Sequence, residues 1–84
     1  MKKIDILQRR INKMIPNVCE NIESIILSER PFEDIIDITI RVNNENVYRC
    51  VKNDFDTRYD DIWDVIHDVD TDYITGRRWG SYNE

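Results

Sequence analysis

Apolar residues recur at steps of three and four near the start of the chain, at Ile4, Leu7, Ile11, Met14 and Ile15. That period gathers them on one stripe and predicts an amphipathic helix over 2–15. Pro16 disfavours helical backbone at Ile15 and is expected to end this element. A proline also suits the first turn of a following helix, and the apolar period does continue through Val18, Ile22 and Ile25. Residues 23–28 (Glu-Ser-Ile-Ile-Leu-Ser) are therefore open between the end of such a helix and a short strand.

The period then changes. Ile36, Ile38, Ile40 and Val42 alternate with Asp37, Thr39 and Arg41, the pattern of a half-buried strand. Asn43-Asn44-Glu45-Asn46 follows, then Val47-Tyr48-Arg49-Cys50-Val51. Asparagine tolerates positive φ, so a tight turn forms here without glycine. A symmetric turn pairs Val42 with Val47, Arg41 with Tyr48 and Asp37 with Lys52. That register turns Ile38, Ile40 and Val51 inward and an Asp37–Lys52 charge pair outward. Arg49 falls on the inner face, out of pattern, which points either to a place near the sheet edge or to a three-residue turn. A second helix is expected from Thr57 to Val69 or a little beyond, with Tyr59, Ile62, Ile66, Val69 and Tyr73 inward and Trp63 and Val65 at the margins. Thr57 followed by Asp60 imitates a capping box at its start.

These elements predict an α+β fold: an N-terminal helix, an antiparallel β-hairpin or three-stranded sheet, and an acidic C-terminal helix packed on it. With 84 residues the chain forms one small domain, 1–75, followed by a basic and aromatic tail, 76–84. A core of that size is thin and leaves little room for buried polar groups. The two glycines and two prolines exclude collagen-like and low-complexity classes. No apolar run exceeds the three residues Ile25, Ile26 and Leu27, so neither a transmembrane helix nor a signal-peptide core is expected, and the setting is cytoplasmic. Cys19 and Cys50 are too few for a disulfide framework and read as small, half-buried apolar residues.

Charge changes the picture. Residues 1–15 carry Lys2, Lys3, Arg9, Arg10 and Lys13 against Asp5, a net of +4. Residues 53–75 carry Arg58 against eight aspartates, a net of −7, within a chain of net −5. Charged runs are usually solvated faces, but so segregated a layout favours an electrostatic partner. On the second helix Asp60, Asp64 and Asp68 stand at i, i+4 and i+8, with Asp61 beside them and Asp70 and Asp72 following. Like charges at i,i+4 cost a few tenths of a kcal/mol per pair. The helix dipole eases Asp60 and Asp61 near the start but not Asp68, expected near the end. A row kept against that cost is a candidate surface for a basic groove.

Asp68-Val-Asp70-Thr-Asp72 imitates the opening of a calcium loop, but Tyr73 stands where glycine is needed and Trp79 where the closing glutamate is needed. His67 is the single histidine and reads as a surface residue. No nucleophile–base set is present, so no catalytic residue, metal or cofactor is expected and the protein is read as a non-enzyme. The tail Gly76-Arg-Arg-Trp-Gly-Ser-Tyr-Asn-Glu84 is expected to fold back, with Trp79 covering the core or its arginines meeting the aspartates; it and the basic first helix could instead touch nucleic acid, though the net acidic chain argues against direct binding.

At Ile40-Arg41-Val42-Asn43-Asn44 the sequence resembles small phage-encoded anti-CRISPR inhibitors of Cas9. That resemblance covers the hairpin. It implies a helix, a sheet with an Arg-Val-Asn-Asn turn, and acidic helices whose side chains imitate DNA in the site that reads the protospacer-adjacent motif. The chain departs from the family in its glycine-free turn, its bipolar charge and its tail. The residues beyond the turn carry no family motif.

The leading expectation is a phage-type inhibitor, acting in the host cell, that presents Asp60, Asp61, Asp64 and Asp68, with Asp70 and Asp72 secondary, to a host nucleic-acid-binding protein, a CRISPR effector among the candidates. A second reading is a protein–protein adaptor or self-associating module, a homodimer included, in which the +4 segment of one copy meets the −7 segment of another. A third is direct nucleic-acid binding through the first helix and the tail.

Overall fold

A computed structural model of the chain describes residues 3–75, with side chains described through residue 73. The order is helix α1 (Lys3–Val18), strands β1 (Ile22–Arg30), β2 (Ile35–Val42) and β3 (Glu45–Lys52), and helix α2 (Arg58–Thr75). The strands form one antiparallel meander in the order β1-β2-β3. The expected α+β layout is therefore the observed one, in its three-stranded form.

Alternation builds the sheet. Ile36, Ile38, Ile40 and Val42 are all buried on one face of β2, joined by Ile25 and Leu27 of β1 and Val47 of β3. Ile4, Leu7, Ile11 and Ile15 of α1 and Ile62, Ile66 and Val69 of α2 complete a single core on that face. The opposite face carries the exposed Ile26, Arg41, Tyr48, Cys50 and Lys52. Both helices thus lie on one side of the sheet, α1 against β1 and α2 against β3 and β2.

Several sequence expectations are corrected. Helix α1 runs past Pro16 to Val18. The proline costs only the bond its missing N–H would have made, close to the helix end, and Cys19 N–H still donates to the Ile15 carbonyl at 2.8 Å. The buried Ile15 holds helical backbone despite the proline after it. Met14 is 45% exposed and lies beside the stripe rather than in it. Residues 23–28, open in the sequence between the end of a helix and a short strand, are strand. Of the two cysteines only Cys19 is buried; Cys50 is exposed on the outer face of β3, and both are free.

The hairpin turn is shorter than expected. Asn43 and Asn44 both take positive φ, 52° and 63°, and alone connect the strands, so Val42 pairs with Glu45 and Asp37 with Cys50. Positive φ at both central residues fits a two-residue hairpin, whose twist matches that of the strands. The register moves by two residues, an even step, so every side chain keeps its expected face. Arg49 does point inward, opposite Ile38, on the edge strand, and its Nη1 donates to the Tyr48 carbonyl at 2.8 Å. Asp37 meets Arg30 rather than Lys52, through Nε at 2.8 Å and Nη2 at 2.7 Å.

The free edge of β1 is closed by α1. Asn12 lies flat against Ile25: its Nδ2 donates to the Ile25 carbonyl at 3.0 Å and its Oδ1 accepts from the Ile25 N–H at 2.9 Å. Gln8 Oε1, one turn earlier, accepts from the Leu27 N–H at 2.6 Å. A side-chain amide offers a donor and an acceptor in one plane, so it can take the place of a neighbouring strand.

Candidate functional site: the helix layer

Helix α2 starts from a turn at Asp54. Its carbonyl accepts from the N–H groups of Thr57 and Arg58, at 3.1 and 2.8 Å, and its Oδ1 accepts from the Asp56 N–H at 3.0 Å. The expected Thr57–Asp60 capping box is replaced by a bond from Thr57 Oγ1 to Asp61 Oδ2, 3.0 Å. The helix runs to Thr75, so Asp68 lies in its interior and not near its end.

With Ile62, Ile66 and Val69 facing the sheet, Asp60, Asp64 and Asp68 face away from it and are exposed. They form one row with steps of about 6 Å. Among the described residues none of the three meets a cation. The other candidate aspartates leave the row. Asp61 turns to one flank, half-buried, toward Thr57. Asp70 turns to the other flank, beside the buried Cys19, with its Oδ1 buried and without a hydrogen-bond partner. Burial pushes the Cys19 thiol above its ordinary pKa, and the neighbouring Asp70 carboxylate adds to the shift. Asp72 is half-buried. The described His, Cys, Asp and Glu side chains form no group of three or more that could hold a metal ion. The tail, 76–84, lies outside the described residues.

Periodicity along one helix could not disclose what lies between the two. Tyr59, Trp63 and His67 form a ladder down the flank of α2: Tyr59 and Trp63 meet edge to face at 6.4 Å, and His67 tilts on Trp63 at 5.9 Å. The cations of α1 reach across to this side. Arg10 stands 5.2 Å over the Tyr59 ring, and Lys3 lies 5.2 Å from the centre of Phe55, an exposed ring that Arg58 also approaches at 5.1 Å. The cleft there has a volume of about 240 Å³ and is lined by Lys3, Ile6, Leu7, Arg10, Phe55, Arg58 and Tyr59, with no carboxylate. It is followed along α1 by a second hollow lined by Arg10, Lys13, Met14 and Tyr59. Sequence reading found the charges of α1 and the aromatics of α2 separately; their meeting depends on chain topology.

The outer surface of the helix layer is therefore bipolar, with basic residues on α1 beside an acidic row on α2. An array of carboxylates on a rigid helix accepts hydrogen bonds from Arg and Lys as phosphate oxygens do. Comparison with protein-family models gave no match, and neither the curated proteins nor the solved structures gave one. No helix among the described residues is long and apolar enough to cross a membrane.

Proposed function

We propose that the protein is a small phage-type inhibitor without enzymatic activity, whose α2 row docks in a basic groove of a host nucleic-acid-binding protein and competes there with DNA or RNA. Asp60, Asp64 and Asp68 carry the docking, with Asp61 at the edge of the contact. Asp70 and Asp72 have a smaller part, because both leave the row. The supporting observation is the exposed, uncompensated row itself, held on a helix anchored by three fully buried side chains. Charge steering toward a basic groove raises the rate of encounter, and carboxylate–arginine pairs inside it give specificity.

The resemblance at the Arg-Val-Asn-Asn turn makes a Cas9–guide RNA complex the first partner to test. DNA binding by a panel of such complexes is measured with and without the protein. The reading expects at least one complex to lose DNA binding in its presence, less so as salt rises. If every complex binds DNA undisturbed at low salt, the Cas9 assignment is overturned. If a wider set of basic-groove nucleic-acid-binding proteins is also undisturbed, the inhibitor reading falls with it.

A further inference from the structure

We infer that the helix layer is a self-complementary interface, on which a second copy of this chain docks about a two-fold axis parallel to the helices. Three juxtapositions advance together: Lys3 of α1 with Phe55, three residues before α2; Arg10 of α1 with Tyr59 of α2; and Cys19, just past the end of α1, beside Asp70 of α2. The two helices therefore lie side by side and run in the same direction. Opposite its buried stripe α1 exposes Arg9 and Lys13, with Arg10 on the flank toward α2; opposite its own, α2 exposes Asp60, Asp64 and Asp68. A half-turn about an axis above the groove, parallel to the helices, sets α1 of the second copy over α2 of the first, and α2 over α1. Each positive strip then meets a negative one, twice by symmetry.

The heights along the axis agree with this. The Arg10 guanidinium lies over the Tyr59 ring, which sets the two residues at similar heights, to within one helical turn. With a rise of about 1.5 Å per residue, Lys13 lies about 4.5 Å further on, while Asp60 and Asp64 lie about 1.5 and 7.5 Å past Tyr59. The half-turn leaves heights unchanged, so Arg9 and Arg10 of one copy reach Asp60 of the other, and Lys13 falls between Asp60 and Asp64. Asp68, about 13.5 Å along, meets Asn17 at about 10.5 Å and gains no cation. The exposed Ile6 and Met14, which line the groove at the axis, supply apolar contact between the charged strips. Helices of 16 and 18 residues span about 24 and 27 Å and together offer a footprint of roughly 500 Å², below the ~800 Å² per partner of a stable complex. The dimer is accordingly weak.

Sedimentation of the full chain across a concentration series, at low and high salt, tests this with two charge-reversed variants. Arg9→Asp/Lys13→Asp makes both strips negative; Asp60→Lys/Asp64→Lys makes both positive. All four side chains are exposed, and circular dichroism verifies the fold; a variant that fails that check is replaced by its Gln or Asn counterpart. The parent should dimerise at low salt, with association weakened roughly tenfold or more at high salt. Each variant alone should be monomeric, their equimolar mixture should form a dimer, and Asp68→Lys should dimerise as the parent does. A parent that stays monomeric at every concentration overturns the inference, as does a reversed variant that self-associates like the parent or a mixture that does not pair. Loss of the dimer in Asp68→Lys overturns the two-fold alignment. Because Asp68 lies outside this contact but inside the docking row, its substitution separates failure of the dimer from failure of the inhibitor reading.

Discussion

Cys19 and Cys50 are both free, yet their surroundings are opposite. Burial, followed by the Asp70 carboxylate, raises the Cys19 pKa and holds the thiol protonated, so it is a poor nucleophile. Cys50 projects from the outer face of the sheet into water. An alkylating reagent at neutral pH should therefore modify one cysteine, Cys50, in the native protein and both after unfolding; peptide mass mapping reads the result. Asp37 lies on the same outer face of the sheet as Cys50. Its two-pronged contact with Arg30 holds its carboxyl below the ordinary value and raises the Arg30 guanidinium further. A carboxyl depressed on folding adds stability that is present above its unfolded pKa, about 4, and is lost as the pH falls through the folded value. Acid titration of the melting temperature should show this component in the parent and lack it in Asp37→Asn. The contact is surface-exposed, so its effect on stability is small.

Among the elements, β2 was the most legible in the sequence because Ile36, Ile38, Ile40 and Val42 alternate strictly with polar neighbours and fill one face. Strand β1 was not legible. Its Ile25-Ile26-Leu27 run has no clear period, and its outer edge is satisfied by Asn12 and Gln8, thirteen and nineteen residues away. Those amides are polar positions on α1 that look like solvent-facing residues until the strand beside them is known. Asn12→Ala should therefore cost about 1–3 kcal/mol, more than an ordinary helix-surface substitution, because it leaves both backbone groups of Ile25 unpaired. Hydrogen exchange should localise the change to the Ile25 amide. Unchanged stability and unchanged protection at Ile25 would show that water replaces the asparagine without loss. The hairpin register erred by two residues for a different reason: Asn43 and Asn44 suffice for the turn, while Asn46, which looked like part of it, belongs to β3.

Taken whole, the molecule separates its charge between its two helices as well as along its sequence. The acidic row was legible because it depends on helical period alone, whereas the basic and aromatic groove beside it depends on the meander that brings α1 and α2 together. Asp70 shows where period misleads: ten residues after Asp60, it comes round to the flank beside Cys19 and out of the row. In the dimer inferred above Asp60 and Asp64 are covered, so self-association and docking on a host protein would compete for the same carboxylates. Whether the row serves a partner rather than the fold is read on the double variant Asp64→Asn/Asp68→Asn. Melting temperature and inhibition of partner DNA binding are measured on the same preparation. Both side chains face solvent, and neutralising them relieves i,i+4 repulsion, so the melting temperature should hold or rise by the equivalent of a few tenths of a kcal/mol. Inhibition should collapse, since truncating a carboxylate paired with Arg or Lys in a desolvated groove costs about 2–5 kcal/mol. A double variant that melts like the parent and inhibits as well as the parent would show that the row has no part in docking.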